Sequence, residues 1–385
     1  MRILYVNQTA QMSGAERSLL SLLKGLESEP EPLVGCPPGE LAEAVREIGI
    51  DFAPIVGTEA SFRLHPVHTS RGIAEIARSS LQIRQLASRF AADLVHANTS
   101  RASLLALLAR RRPGPPVLAH IRDWAPEGRF SRFVLGMIAR RADMVVANSA
   151  YVASQFDGLP VRQPVRVVHN PVDLGRFDPA SADGGAIRRK LGVPGDALVL
   201  AVIAQLTPWK GQDDAIEAFA ALPPSDPETI LLLVGSAKFS GPGTRFDNVA
   251  FEGRLRRLAN ELGVAERVRF AGERSDIPDV LAATDLLLMP SWREAFGRIA
   301  IEAMAMGVPV VATDVGGPAE IVRPGIDGLL LPPRDPVAWS RGLGPILENA
   351  RKREDMGEQG LARARDFSLG THVTAIRALY GDLLR

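Results

Sequence analysis

Glu294 and Glu302 stand eight positions apart in the stretch Pro290-Ser291-Trp292-Arg293-Glu294-Ala295-Phe296-Gly297-Arg298-Ile299-Ala300-Ile301-Glu302. What two such carboxylates can reach depends on the elements that carry them. Asp285-Leu286-Leu287-Leu288-Met289, just before, is a short apolar run that reads as a buried parallel strand. Just after, Ile299, Ala303, Met304 and Met306 recur at helical spacing until Gly307 and Pro309 stop the helix. Glu294 therefore falls in a strand-to-helix loop and Glu302 on the helix itself. The first amides of that helix, near Phe296, Gly297 and Arg298, have no intrahelical partner and carry the positive end of the dipole, which suits a phosphate. A carboxylate one turn further on can accept hydrogen bonds from the vicinal hydroxyls of a ribose, while Glu294 meets whatever the phosphate carries. The layout is that of a sugar-nucleotide pocket. The plain alternative is an ordinary helix with a solvated Glu302 and a capping Glu294.

Apolar runs alternate with helical patterns along the whole chain, the mark of parallel sheets covered on both faces. Strands are expected at Ile3–Asn7, Pro32–Cys36, Asp51–Val56, Leu94–Asn98, Val117–Ile121, Met144–Asn148 and Val165–His169. A second set follows at Leu198–Leu206, Ile230–Gly235, Val268–Gly272, Asp285–Met289, Pro309–Thr313 and Gly328–Leu331. Ala92-Asp93-Leu94-Val95-His96-Ala97-Asn98 and Ala142-Asp143-Met144-Val145-Val146-Ala147-Asn148 share one pattern, each ending in a polar residue where a parallel strand opens onto a ligand crevice. A last amphipathic helix, from about Thr371 to Leu384, has Val373, Ile376, Leu379, Tyr380 and Leu383 on one face.

The 385 residues are enough for two domains with substantial cores. A net charge of +1 gives no electrostatic case for nucleic acid. Five lysines leave 40 arginines among the 45 basic residues, a bias of genome composition more than of partner. With Cys36 alone there is no disulfide framework, and a cytoplasmic location is the default expectation. The apolar run after Met1 is too short for a signal sequence, and no stretch approaches a membrane span.

Other polar constellations have bland readings beside sharper ones. Arg71 to Phe90 reads as a helix dotted with Arg78, Arg84 and Arg89, a solvated face or a basic face resting on an anionic membrane. His65-Pro66-Val67-His68 lacks a third ligand at metal spacing and reads as a loop. Arg110-Arg111-Arg112 reads as solvated, Asp276 as a helix N-cap, and Lys238 to Phe246 as an inserted loop. His120, in Leu118-Ala119-His120-Ile121-Arg122-Asp123-Trp124, closes a strand where α/β folds place ligand-facing groups; a lone histidine there is also commonly structural.

Glu294 and Glu302, with the surrounding PSWREAFGRIAIEAMAMGVPVVATDVGGPAEIV, match the E-x7-E signature of retaining glycosyltransferases of the GT4 type. The chain resembles that family along nearly its whole length, most strongly from about Leu198 to Pro332. The resemblance implies an α/β GT-B fold: two doubly wound Rossmann-like domains facing across a cleft. It implies an acceptor-binding domain over 1–170, a nucleotide-sugar-binding domain over 171–370, and a helix over 371–385 that crosses back to the first. Asn170-Pro171-Val172-Asp173-Leu174-Gly175-Arg176-Phe177 matches the family's hinge. His120, Glu294 and Lys210 would then be catalytic, beside the anomeric centre, on sugar hydroxyls and on the phosphate respectively. Ser13, Gly14, Gln205, Lys210, Arg274, Phe296, Gly297, Arg298 and Glu302 would bind donor; Asn98, Arg122, Asp123 and Trp124 would bind acceptor. Ser13-Gly14 stands where the family usually has Gly-Gly, and Gln205 where it has an arginine that holds the donor pyrophosphate. Glutamine donates hydrogen bonds but supplies no charge; Arg274, Arg298 or Arg122 could compensate. Gly316-Gly317 looks like the family's structural turn behind the donor helix.

The function implied is transfer of a sugar from a nucleotide diphosphate to an acceptor hydroxyl, with retention, and with no cofactor and no metal. The acceptor would be a small molecule, or alternatively lipid-linked or a polysaccharide; oligomeric state is not readable from the chain. Two rivals remain: a sugar-nucleotide binding protein without turnover, which Gln205 keeps open, and a nicotinamide oxidoreductase, against which the missing G-x-G-x-x-G speaks.

Overall fold

The computed structural model describes residues 1–26, 29–58, 66–111, 113–224, 227–238 and 246–385, with the side chains of 66–71 outside the description. The chain divides into two compact units, Met1–Pro171 with Leu369–Arg385, and Val172–Ser368.

The first unit holds a seven-stranded parallel sheet, β1 (Arg2–Val6), β2 (Glu31–Cys36), β3 (Asp51–Pro54), β4 (Leu94–Ala97), β5 (Val117–Ile121), β6 (Met144–Ala147) and β7 (Arg166–Val167), in the order β3-β2-β1-β4-β5-β6-β7. The second holds six parallel strands, β8 (Leu198–Ile203), β9 (Thr229–Val234), β10 (Val268–Gly272), β11 (Leu286–Met289), β12 (Val310–Thr313) and β13 (Gly328–Leu331), in the order β10-β9-β8-β11-β12-β13. The inner strands β4, β6, β9, β11 and β12 are buried from end to end, as expected where helices cover both faces of a parallel sheet, whereas β3 and β7 carry exposed residues. Each order reverses once, between β1 and β4 and between β8 and β11. At such a reversal the connections leave in opposite directions and open a crevice at the strands' carboxyl ends.

A repeated aspartate ties neighbouring strands at their starts. Asp93, Asp143 and Asp285 each precede a strand and accept the amide of a neighbouring strand: Arg2 N at 2.7 Å, Val117 N at 2.8 Å and Val199 N at 2.7 Å. The first two are the aspartates of the repeated pattern above. Each one satisfies an amide that the parallel ladder leaves open at its start.

Several boundaries and roles differ from expectation. β3 stops at Pro54, β7 is two residues long and β8 ends at Ile203, because Pro, Gly and polar positions at their ends leave the sheet to enter turns. The helix Pro66–Arg89 begins before Arg71 and takes in His68, which is therefore not in a loop; His65 lies outside the described residues, as do 239–245 of the inserted stretch. Arg110 is not solvated: its guanidinium is 15% exposed and pairs with Asp143 at 2.7 Å. The helix Leu369–Leu384 belongs to the first unit and packs Val373, Ile376, Leu379 and Tyr380 into its core with Leu19, Leu22 and Leu23. No described helix is long and apolar enough to cross a membrane.

Candidate functional site

In the second unit, two loops leave the carboxyl ends of β8 and β11 at the point of reversal. The first turns through Pro208–Lys210 into the helix Gln212–Ala220; the second runs from Pro290 to the helix Arg298–Ala305. They are stitched together by the backbone amide of Trp292, which donates to the Trp209 carbonyl at 2.9 Å, and by the Trp292 indole N–H, which donates to Asp214 Oδ2 at 3.1 Å. Gly211 permits the approach: its φ is +69° and a Cβ there would lie 2.1 Å from the Pro290 carbonyl oxygen.

This stitching brings Lys210 to Glu294. The Nζ of Lys210 contacts Glu294 Oε2, with the two side chains 17% and 13% exposed. Ser291 Oγ donates to the same oxygen at 3.3 Å, and the ammonium sits 4.2 Å from the centre of the Trp209 ring. The backbone of Glu294 is held from behind: its carbonyl accepts from Gly317 N at 2.9 Å, and a Cβ on Gly316 would lie 2.0 Å from that carbonyl oxygen. Gly316-Gly317 is thus a structural turn, as expected, and it sets the height of Glu294.

Gly297, with φ +94°, precedes the helix Arg298–Ala305, and its carbonyl accepts from Ala300 N at 2.9 Å. Glu302 accepts from Arg298 Nη2 at 3.0 Å, and the pair is 14% and 12% exposed. The Phe296 ring is buried in the core against Phe367. Two of the three cations named as substitutes for an arginine at 205 are paired with carboxylates, Arg298 with Glu302 and Arg274 with Asp276. Asp276 spends its carboxylate on Arg274 and makes no side-chain cap, although it stands at the N-cap position. Gln205 donates to the Lys238 carbonyl at 3.0 Å and accepts on its own carbonyl from Gln212 at 2.8 Å, which makes it a tie between loops.

One acidic pair escaped the sequence reading. Burial, with Asp213 alongside, pushes the Asp214 carboxyl up to about 6, and burial raises Asp213 as well. Their only signal was adjacency at the start of a helix that follows Lys210-Gly211.

In the first unit, Ser13 and Gly14 open the helix Gly14–Gly25 behind β1. Glu16 Oε2 accepts from Ser13 N at 3.1 Å, and a Cβ on Gly14 would meet nothing within 4 Å. His120, on β5, is buried, and its Nε2 has no hydrogen-bond partner among the described residues. Asn98 and Arg122, expected to bind acceptor, point into the unit. Asn98 donates to Asn7 Oδ1 and the Ala15 carbonyl and accepts from Arg122 Nε at 2.9 Å; Arg122 also bonds Asn170 and His120. Asp123 accepts from Ser100 Oγ at 2.8 Å, and Trp124 stacks on Tyr151 at 4.2 Å between centroids. Each of these four residues thus has a partner within the first unit.

The family described as Glycosyl transferases group 1 matches residues 184–363, and Glycosyltransferase Family 4 matches residues 12–176. A D-inositol 3-phosphate glycosyltransferase of Actinosynnema mirum is 35% identical over 310 residues, 75% of this chain and 72% of that one. Crystal structures of Anabaena HepE are similar along the chain. The complex with UDP is 28% identical with TM-score 0.84, covering 99% and 100% of the two chains. The complex with UDP-glucose is 27% identical with TM-score 0.84 and the same coverage, 99% and 100%.

Proposed function

We propose a donor and a chemistry for this chain, which belongs to the GT4-type glycosyltransferases and is itself a glycosyltransferase of GT-B fold: it moves a hexose from a UDP-sugar to a hydroxyl of a small-molecule acceptor, with retention at the anomeric carbon. The observation that carries the donor site is the contact of Lys210 with Glu294 at the reversal between β8 and β11, beside the start of the helix Arg298–Ala305 and Glu302. The named UDP and UDP-glucose complexes of HepE support the nucleotide, and the name of the A. mirum relative supports a phosphorylated polyol as acceptor.

In this reading the Lys210 ammonium and the amides after Gly297 take the charge that grows on the departing diphosphate. Glu302 accepts from the ribose hydroxyls and Glu294 from hydroxyls of the sugar. The bond from C1 to the phosphate oxygen breaks as the bond from C1 to the acceptor oxygen forms on the same face. The acceptor proton passes to the released phosphate oxygen, so no protein nucleophile is needed. His120 would stand by the anomeric centre, where a neutral imidazole can donate without a large desolvation cost. We assign no resident cofactor and place the protein in the cytoplasm.

The test is calorimetric titration of UDP-, GDP-, ADP- and TDP-glucose into the wild type, Lys210→Ala and Glu302→Ala. The reading expects UDP-glucose to bind best and both substitutions to weaken it. Equal affinity across all three proteins would remove the donor site.

A further inference from the structure

Behind His120 runs a buried line of hydrogen bonds that no sequence motif marks. Tyr5 Oη and Tyr380 Oη are 3.1 Å apart; Tyr380 Oη lies 2.6 Å from His96 Nδ1; His96 Nε2 lies 3.1 Å from His120 Nδ1. Arg122 Nη2 approaches the same His120 Nδ1 at 3.2 Å. All five groups are buried. They come from β1, β4, β5, the turn after β5 and the terminal helix Leu369–Leu384, all within the first unit.

The direction of this line follows from one end. A guanidinium has donors and no acceptor, so His120 Nδ1 must present its lone pair to Arg122. His96 Nε2 faces that same lone pair and must therefore carry a proton. A neutral His96 then has a bare Nδ1, which accepts a hydrogen bond from the Tyr380 hydroxyl. Burial, with Arg122 and the neighbouring histidines, holds both imidazoles well below their ordinary value, so both are neutral near pH 7. His372 stacks on His120 with centroids 6.4 Å apart, and its Nδ1 donates to the His169 carbonyl at 2.7 Å.

We infer that Tyr380, His96 and Arg122 lock His120 in the tautomer protonated on Nε2, so that His120 is presented as a fixed hydrogen-bond donor and cannot act as a base through Nε2. Tyr380 and His96 are positioning residues; they act on a ligand only through His120. The Nε2 proton has no partner among the described residues, which leaves it for an oxygen of a bound ligand. A donor there suits charge that develops on a sugar or phosphate oxygen. The inference deepens the catalytic reading of His120 and rests on it for its functional meaning, whereas the tautomer itself does not.

The test is long-range proton–nitrogen correlation NMR on protein labelled with 15N-histidine at pH 7.5, with the six histidines assigned by single His→Gln spectra. His120 and His96 are expected in the Nε2-protonated pattern. Tyr380→Phe should mix the two tautomers of His96 and lower kcat several-fold at nearly constant donor KM; a structural defect would lower the amount of active protein instead. His120 found protonated on Nδ1, or as a cation, overturns the lock in the wild type whatever the variant does. His120→Ala then separates the two claims. Full transfer activity in that variant, with the wild-type tautomer as stated, sinks the catalytic reading and leaves the lock standing. Lost activity with the opposite tautomer sinks the lock alone.

Discussion

The ammonium of Lys210 rests on the carboxylate of Glu294 although 84 positions separate them in the chain. Each is mostly removed from water, so each depends on the other for its charge to be tolerated. Lys210→Ala should weaken UDP-glucose by about 1.5–3 kcal/mol, the worth of a charged contact, or roughly 10- to 150-fold in Kd. Part of the loss is the uncompensated charge left on the mostly buried Glu294. The double variant Lys210→Ala/Glu294→Ala should therefore lose less affinity than the sum of the singles, with a coupling of about 0.5–3 kcal/mol. Strict additivity in calorimetry would mean that the two side chains do not share a ligand.

Glu294 and Glu302 are expected to read different parts of one donor. Glu302→Ala should weaken UDP and UDP-glucose by the same factor, because the ribose is common to both. Glu294→Gln should leave UDP nearly untouched and weaken UDP-glucose. Parallel titrations with the two ligands decide it, and a common effect of both substitutions on UDP would place Glu294 on the nucleotide.

Gly316→Ala tests how Glu294 is seated. The new methyl would stand 2.0 Å from the Glu294 carbonyl oxygen at a backbone φ of +97°. Backbone cannot yield there as a flexible side chain would. Left-handed strain alone costs about 1–3 kcal/mol, so the melting temperature of the second unit should fall and activity should fall with it. Gly14→Ala, whose Cβ meets nothing within 4 Å, is the matched control for stability of the first unit.

The buried histidines make the first unit acid-sensitive. His96 and His120 titrate well below 6.5 when folded and near 6.5 when unfolded, so the unfolded chain binds more protons as pH drops through 6.5. Stability is complete above that value and declines below it, by up to about 1.4 kcal/mol per pH unit for each histidine. Chemical denaturation between pH 7.5 and 5 should show this slope, and His96→Gln should reduce it.

Asp214 acts in the opposite sense. Its carboxyl is raised from 3.8 to about 6, so its contribution to stability is complete below 3.8 and is lost as pH rises through 6. Asp214→Asn keeps an acceptor for the Trp292 indole and removes the titration. Melting of the second unit should become flatter between pH 4 and 7 in that variant, measured by differential scanning calorimetry.

All thirteen expected strands occur; those buried on both faces, such as β4, β9 and β11, leave continuous apolar runs that few other elements imitate. The loop that holds Glu294 and the helix that holds Glu302 were legible for the same reason, bounded by an apolar strand and by Gly307. Pairing between charges was not. Arg110 looked solvated inside a basic run, yet Asp143 claims it; Asp276 looked like a cap, yet Arg274 takes its carboxylate. Tyr380 looked like one more apolar face residue of the last helix, and the partner of its hydroxyl lies on β1, 375 positions away. The available hint was a polar atom at a buried position, His96 within an otherwise apolar strand, which obliges some partner without naming it.

The terminal helix Leu369–Leu384 lies with Met1–Pro171, so the second unit is inserted within the sequence of the first. A ribosome therefore finishes Val172–Ser368 as one uninterrupted segment, while the earlier-made segment still lacks the tyrosine that faces His96. During synthesis the domain that begins the chain is the one that completes its core last, and a stop codon just before residue 369 would strip His96 of its hydroxyl partner while leaving every residue around Lys210 and Glu294 in place.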